Sequence, residues 1–225
     1  MQKQVFTKEQ RAVHQLIINS IGLNDIGLFD GKMGVIISLI TYSRKNKQKA
    51  IEEVADFLME QVLDGLTNMS PLSFSNGITG IGWGIEYLIQ NGYMPGCGAD
   101  ICMEIDKKLM SQDIRRVNDF SLEQGIYGWL HYIVAHIQGA NRCAKQVFDR
   151  MYIIDLISRL KEYAANSATS EEFNNLHYVL RDVLNGATNA YKFPFSEIVN
   201  KDIRFLLNNL SLQKGLAGYL MTNHI

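Results

Sequence analysis

Two histidines are the side chains in this sequence whose type and spacing most directly suggest chemistry. His131 and His177 each follow a leucine and precede a tyrosine, and 46 residues separate them. At equivalent positions of neighbouring helices the two imidazoles could lie side by side and serve in acid–base chemistry or in hydrogen bonding to a substrate. The alternative is a pair of packing histidines, because two imidazoles without a cysteine or carboxylate partner make a poor metal site.

The three cysteines do not form a pattern that is typical of metal binding. Cys97 and Cys102 are five residues apart, which places them about 140° apart around a helix. We therefore expect structural cysteines and no metal. An odd number of cysteines in a long chain also predicts a reducing, cytoplasmic compartment rather than a disulfide framework. The N-terminal residues contain no apolar segment of the kind found in secretory signals.

The composition excludes several classes of partner. The 225 residues include 22 Lys and Arg against 23 Asp and Glu, for a formal charge of −1, so no basic surface for nucleic acid is expected. Hydrophobic residues make up 47% of the chain, which is enough for a substantial core. The longest apolar run is far shorter than the roughly 20 residues of a membrane span. We expect no contact with nucleic acid or membranes.

Pairs of glycines three residues apart recur along the chain. They lie at Gly31–Gly34, Gly77–Gly80, Gly125–Gly128 and Gly215–Gly218. The intervals are 46, 48 and 90 residues, and the last leaves room for a hidden repeat. The repeated Leu-His-Tyr phrase places the start of that repeat at Glu171. The sequence therefore predicts one domain over residues 1–225, built from about five repeats with a period of about 46 residues.

Each repeat is predicted to hold two helices. Apolar residues spaced as i, i+4, i+7 and i+11 predict an amphipathic first helix, beginning at or just before Gly31, Gly77, Gly125, Glu171 and Gly215. Second helices are predicted near 49–65, 98–113, 143–165 and 195–209, with an opening helix near 8–20. Asparagine or glutamine followed by glycine at residues 91, 138 and 185 predicts helix ends. The expected fold class is all-α.

The paired glycines need a physical reason, because a glycine inside a helix costs about 0.5–1 kcal/mol relative to alanine. Close packing of neighbouring helices is one interpretation. Backbone N–H groups left open to an anion or a peptide at the helix N-terminus are the other.

Three phrases, Gly27–Gly34, Leu72–Gly84 and Leu210–Gly218, resemble the repeats of the lanthionine synthetase C-like family. The resemblance implies an α/α toroid, in which inner helices line a central cavity and outer helices surround them. The family's full barrel has seven helix pairs, whereas this chain has room for about five. We therefore expect a shortened toroid, or an incomplete barrel whose exposed ends call for a second copy or a partner chain.

The family's zinc ligands are not present in this sequence. Lanthionine cyclases bind zinc through cysteine and histidine side chains placed just before the glycine pair. The matching positions here hold Phe29/Asp30, Ser75/Asn76, Glu123/Gln124 and Gln213/Lys214. The resemblance therefore implies the fold and peptide binding, with no zinc or other cofactor, and it leaves open whether the protein is an enzyme.

Candidate binding residues lie at the predicted rim and in the first turns of the inner helices. The rim side chains could simply cap helices, and the aromatic ones could fill the core rather than stack on a ligand. As a binding site they would take a peptide or a small molecule in the toroid cavity. The full set is Asp30, Asn76, Trp83, Glu123, Gln124, Tyr127, Trp129, His131, His177 and Lys214.

Three functions remain open from the sequence. The first is a lanthionine synthetase C-like protein without zinc, which acts in peptide modification by binding a peptide. The second is a carbohydrate-active α/α-toroid enzyme, which needs two carboxylates about 5–10 Å apart across a cavity; Asp30, Asp119, Glu123 and the mid-helix Glu86 are its candidates. The third is a non-catalytic interaction scaffold.

Overall fold

The computed structural model describes residues 6–66, 71–166, 170–200, 203 and 205–224, and this part of the chain is all-helical, without a strand. The α-helices of the described residues are α1 (Lys8–Ser20), α2 (Lys32–Asn46), α3 (Lys49–Gly65), α4 (Ile78–Gln90), α5 (Gly98–Ile101), α6 (Met103–Met110), α7 (Ile126–Arg142), α8 (Arg150–Asn166), α9 (Glu171–Leu184), α10 (Phe195–Ile198) and α11 (Leu216–His224). A 3-10 turn at Ile114–Arg116 lies between α6 and α7. The all-α prediction is confirmed.

Five helices begin at the predicted repeat starts. α2, α4, α7 and α11 each begin on the residue after the first glycine of a pair, and α9 begins at Glu171. In α9 the N-cap is Ser170, whose Oγ accepts a hydrogen bond from Phe173 N (3.2 Å). Ser170 thus stands where the other repeats have glycine, so the fourth repeat is shifted by one residue from the predicted alignment.

The helices that follow a glycine pair are more deeply buried than an amphipathic pattern implies. In α2 every residue from Lys32 to Ser43 is buried, and most of α4 and α7 is buried on all sides as well. A helix with this profile is enclosed by other elements, so the predicted single apolar stripe is wrong for these three. α9 does follow it, since its buried residues form one face: Phe173, Leu176, Leu180 and Val183.

The second helices match the predictions only in the first part of the chain. α1 and α3 occupy the predicted ranges, but the helix predicted over 98–113 breaks at Cys102 and ends at Met110. The helix predicted near 143–165 begins only at Arg150, because the backbone at Ala144 is left-handed (φ 53°) just after α7. Of the helix predicted over 195–209, the described residues form only the single turn of α10, and residues 201, 202 and 204 lie outside the described part of the chain.

One predicted helix end is also wrong. Gly92 and Gly186 have positive φ, as expected at the ends of α4 and α9. α7, in contrast, continues through Gln138 and Gly139 to Arg142. Gly139 lies against the carboxylate of Glu86, so this glycine provides space within the helix rather than ending it.

Contacts divide the described chain into two compact units. The first holds α1, α2, α3, α10 and α11, and the second holds α4 to α9. In the first unit α2 packs against α1, α3 and α11, and Ser38 Oγ donates a hydrogen bond to the carbonyl oxygen of Ala217 (3.0 Å). In the second unit α7 packs against both α4 and α9. The single domain over residues 1–225 remains a prediction.

The cysteines differ from expectation. Cys97 and Cys143 form a disulfide whose Cα atoms lie 6.4 Å apart, and Cys102 is a buried free thiol. The prediction compared only cysteines that could share one helix. Cys97 directly precedes α5 and Cys143 directly follows α7, and these two helices pack against each other. Because Cys97 and Cys143 form a disulfide, the odd number of cysteines no longer supports a reducing compartment. The cytoplasmic location stays a prediction.

None of the described helices combines the length and the hydrophobicity that a membrane crossing requires.

Candidate functional site

A loop leads into each of the four helices α2, α4, α7 and α11 and caps it with its own backbone. The first helical N–H donates a hydrogen bond of 2.8–2.9 Å to a carbonyl oxygen seven residues earlier, in the pairs Lys32 to Asp25, Ile78 to Pro71, Ile126 to Asp119 and Leu216 to Asn209. A Cβ on Gly125 would lie 2.6 Å from the backbone nitrogen of Ser121, so only glycine fits under this loop. Loop backbone therefore fills the helix N-termini, and close packing explains the glycines.

In the second unit, two neighbouring loops are joined to each other. The backbone N–H groups of Phe74 and Ser75 both donate to the carbonyl oxygen of Glu123, at 2.9 and 3.0 Å. Gln124 Nε2 adds a hydrogen bond to Ser75 Oγ (3.2 Å). A side chain on Gly128 would meet the Cβ of Phe74. The second repeat thus docks on the third through its loop.

In the first unit, the loop of the last repeat meets the loop of the first repeat in the same register. Leu212 N donates to the carbonyl oxygen of Phe29 (2.7 Å), and Ser211 Oγ donates to the same atom (3.0 Å). A Cβ on Gly34 would lie 2.9 Å from the Cβ of Leu212. Leu212 and Phe29 occupy the loop positions that Phe74 and Glu123 occupy in the second unit.

The predicted rim residues lie on these loops. Asp30, Glu123, Gln124 and Lys214 are exposed, and Asn76 is half-buried. The N-cap positions of α2, α4 and α7 are occupied by glycines without a side-chain cap, so none of the predicted rim residues takes the N-cap position of these three helices. The loops therefore carry polar side chains, two in the first unit and three in the second.

The aromatic candidates separate into core and surface residues. Trp83 and Trp129 are buried, so they belong to the core. Tyr127 is half-buried, and its ring lies 4.7 Å from that of His131 and 5.7 Å from that of Phe173. Among these candidates Tyr127 is the aromatic side chain that can reach a ligand at the rim of the second unit.

His131 lies in the core and is neutral. Trp83 Nε1 donates to Tyr191 Oη (2.8 Å), which leaves the Tyr191 hydroxyl proton for His131 Nδ1 (2.9 Å). Burial lowers the pKa of His131 to about 3. This histidine therefore acts in packing and hydrogen bonding.

His177 does not repeat the surroundings of His131. It is the seventh residue of α9, whereas His131 is the sixth of α7, so the two point about 100° apart around their helices. His177 is half-buried, it stacks on Tyr178, and burial together with Lys161 and Arg181 lowers its pKa. The predicted side-by-side pair is wrong because Ser170 shifts the repeat by one residue.

A group of hydrogen-bonded polar and ionisable side chains that the sequence did not predict lies around His136. His136 lies between two carboxylates, with Nδ1 2.7 Å from Glu86 Oε1 and Nε2 2.8 Å from Asp106 Oδ2. Tyr132 Oη donates to Asp106 Oδ1 (2.6 Å), and Gln90 Nε2 donates to Glu86 Oε2 (2.6 Å). These five side chains, here called the buried charge cluster, link α4, α6 and α7.

His136 is positively charged in this cluster. Burial alone would lower its pKa, but the hydrogen bonds to Asp106 and Glu86, and their charges, raise the pKa of His136 to about 9. Both ring nitrogens can then donate, one to each carboxylate. Burial and the same two carboxylates raise the pKa of the nearby Cys102, which keeps this thiol protonated and unreactive.

The cluster continues into the core as a chain of hydrogen bonds. Gln138 Nε2 donates to Gln90 Oε1 (2.9 Å) and to the carbonyl oxygen of Tyr191 (3.0 Å). Tyr191 N in turn donates to Gln138 Oε1 (2.7 Å). Because Tyr191 also bonds Trp83 and His131, one network fixes α4 and α7 and the segment after α9.

Glu86 and His136 are fully buried, so the cluster cannot act on a substrate at the surface. Gly98 and Gly139 both lie against the Glu86 carboxylate, where any side chain would overlap it. A sequence signal existed, since Glu86 and His136 each lie within a largely apolar helical stretch. Such residues are buried only when they are paired.

The charge of His136 predicts a loss of stability above neutral pH. Its pKa of about 9 exceeds the unfolded value of 6.5, so the folded state binds the extra proton and this contribution is complete below pH 6.5 and disappears as the pH rises through 9. We expect the free energy of unfolding to fall by about 2 kcal/mol between pH 7 and pH 9. Urea unfolding at several pH values measures it. A flat profile, or the same slope in His136→Leu, would contradict the assignment.

Comparison with protein-family models gives no match for this chain, and searches of the curated proteins and of the solved structures give none either. In the described ranges no three His, Cys, Asp or Glu side chains come together in an arrangement that could hold a metal ion.

Proposed function

We propose that this protein is a lanthionine synthetase C-like α/α toroid of about five repeats that binds a peptide at its rim without zinc. The observation that supports the proposal is the shared loop register. Leu212 N donates to Phe29 O in the first unit as Phe74 N donates to Glu123 O in the second. Equivalent contacts between the loops of different repeats are what a fold built from repeats requires.

The rim chemistry supports a peptide as ligand. Asn76 and Gln124 carry amides that both donate and accept hydrogen bonds, as a peptide backbone does. In the same unit Tyr127, three residues after Gln124, offers an aromatic surface, and Glu123 adds a negative charge. Mixed polar groups together with an aromatic ring suit peptide recognition better than recognition of a single charged group.

One of the carboxylates that a carbohydrate-active enzyme would need is not accessible to a substrate. Glu86 is fully buried and held by His136 and Gln90, so it cannot protonate a glycosidic oxygen. Asp119 accepts a hydrogen bond from Ser121 N (2.8 Å) within its own loop. No observation favours this function over peptide binding.

Selection from a random peptide display library tests the proposal. We expect the protein to enrich related peptides, and the enrichment to disappear in a Gln124→Ala/Tyr127→Ala variant because it removes one amide and the one aromatic ring of the proposed binding set. Gln112→Ala/Tyr178→Ala is the matched control, since it removes an exposed amide and an exposed tyrosine elsewhere. No enrichment, or equal enrichment in both variants, would contradict rim binding.

The proposal also predicts a protein that purifies without stoichiometric zinc. A catalytic zinc needs three protein ligands at about 2.0–2.3 Å, and the rim positions hold Asp30, Asn76, Gln124 and Lys214. Elemental analysis should find well below one zinc per chain. About one zinc per chain, lost on replacing His131 and His177, would restore a metal-dependent reaction.

A further inference from the structure

A cavity of about 300 Å³ lies at the C-terminal end of α7, away from the rim. Its walls come from α7, the end of α9, the start of α8 and the segment between α7 and α8. This volume is at the lower end of the range for small-molecule sites, about 300–1,000 Å³. Its apolar lining includes Ile137, Ala140, Val147, Phe148, Ile153 and Val183.

The wall between α7 and α8 is held in place from several sides. Cys143 at its start is bonded to Cys97. Lys145 N donates to the carbonyl oxygen of Ala140 (2.9 Å), and Lys145 Nζ pairs with Asp100 Oδ1 (2.5 Å). A cavity whose wall is fixed in this way does not need to be ordered when a ligand binds, which favours affinity.

The charge around the cavity is positive. Lys145 and Arg150 line it, and no acidic residue is found among the described residues that do so. The carbonyl groups at the C-terminal end of α9 carry a partial negative charge, which would repel an anion. Asn141 Nδ2 donates to the carbonyl oxygens of Val183 (2.7 Å) and Ala187 (3.1 Å), so these two groups are already hydrogen-bonded. Lys145 is already paired with Asp100, so the charge that a ligand can use is that of Arg150 at the start of α8. One full positive charge outweighs the partial charge of a helix end.

We propose that this cavity binds a small amphipathic carboxylate, a free fatty acid of medium chain length. Its tail would lie against Phe148, Ile153 and Val183, and its carboxylate would pair with Arg150. Each buried methylene contributes about 0.8 kcal/mol, and the guanidinium of Arg150 can hold a carboxylate through two hydrogen bonds. The site is separate from the rim, so it does not depend on the peptide-binding proposal.

Calorimetric titration of the intact, disulfide-bonded protein tests the site. Octanoate is the probe, octylamine carries the same tail with the opposite charge, and a short acetylated peptide ending in leucine offers a carboxylate from a second source. We expect octanoate to bind at one site per chain and octylamine to bind at least about tenfold more weakly. Arg150→Gln should weaken octanoate binding about tenfold, a change of about 1.4 kcal/mol. Lys161→Gln, an exposed cation on the same helix, should leave it unchanged.

Three results would overturn the proposal. Absence of octanoate binding at millimolar concentration excludes the ligand class. Equal affinity for octanoate and octylamine, or equal loss in Arg150→Gln and Lys161→Gln, shows that the charges do not select the ligand. Tighter binding of the peptide than of octanoate assigns the cavity to peptide C-termini instead of free fatty acids.

Discussion

Replacing Gly128 by leucine is expected to destabilise the protein by about 3 kcal/mol or more, at the upper end of the cost of overpacking a core. A Cβ at this position would run into the carbonyl oxygen of Leu122 and the Cβ of Phe74. Neither atom can move aside, because one belongs to the loop backbone and the other begins a fully buried side chain. Urea unfolding followed by circular dichroism measures the loss.

Gly22 provides the matched control. A Cβ there would meet nothing within 4 Å, so Gly22→Leu should change stability by no more than about 0.5 kcal/mol. Gly34→Leu should resemble Gly128→Leu, because Gly34 faces the carbonyl oxygen of Leu28 and the Cβ of Leu212. Equal unfolding midpoints for the variants at Gly22 and Gly128 would show that close packing is not the reason for the glycine.

The second large effect is expected at His136. His136→Leu leaves Glu86 and Asp106 buried without their positive partner, and breaking a buried pair in this way costs about 3–5 kcal/mol. Their remaining partners, Gln90 and Tyr132, donate one hydrogen bond each. These bonds cannot replace a full charge. Chemical denaturation near pH 7 measures the loss.

Two comparisons separate charge from packing. Glu104→Ala removes an exposed ion pair with Lys107 and should cost less than about 1 kcal/mol. His136→Leu combined with Glu86→Gln should recover part of the loss, because one uncompensated charge disappears. If the double variant loses more free energy of unfolding than the two single variants lose together, the cluster is not held together by its charges.

The repeat period predicted where the first helix of each repeat begins, because these starts depend on local features. A glycine must lie under each lead-in loop, and the spacing of these glycines gave the starts of α2, α4, α7 and α11. α9 lacks this glycine, and its Ser170 cap shifted the register by one residue. The assignment of His177 failed for that reason.

The buried charge cluster could not be predicted because its members are far apart in sequence. Glu86 and His136 are 50 residues apart and share no motif. Their positions in apolar helices indicated burial, but the partner of each depends on how α4, α6 and α7 pack. The same holds for the disulfide, since Cys97 and Cys143 meet only because α5 lies against α7.

The most direct test of the shared loop register is amide hydrogen exchange at Leu212. Its N–H donates to the carbonyl oxygen of Phe29, as the N–H of Phe74 donates to that of Glu123. If the last repeat docks on the first as the second docks on the third, both amides should exchange slowly and with similar protection. A Leu212 amide that exchanges as fast as in an unfolded chain, beside a protected Phe74, would contradict the shared register.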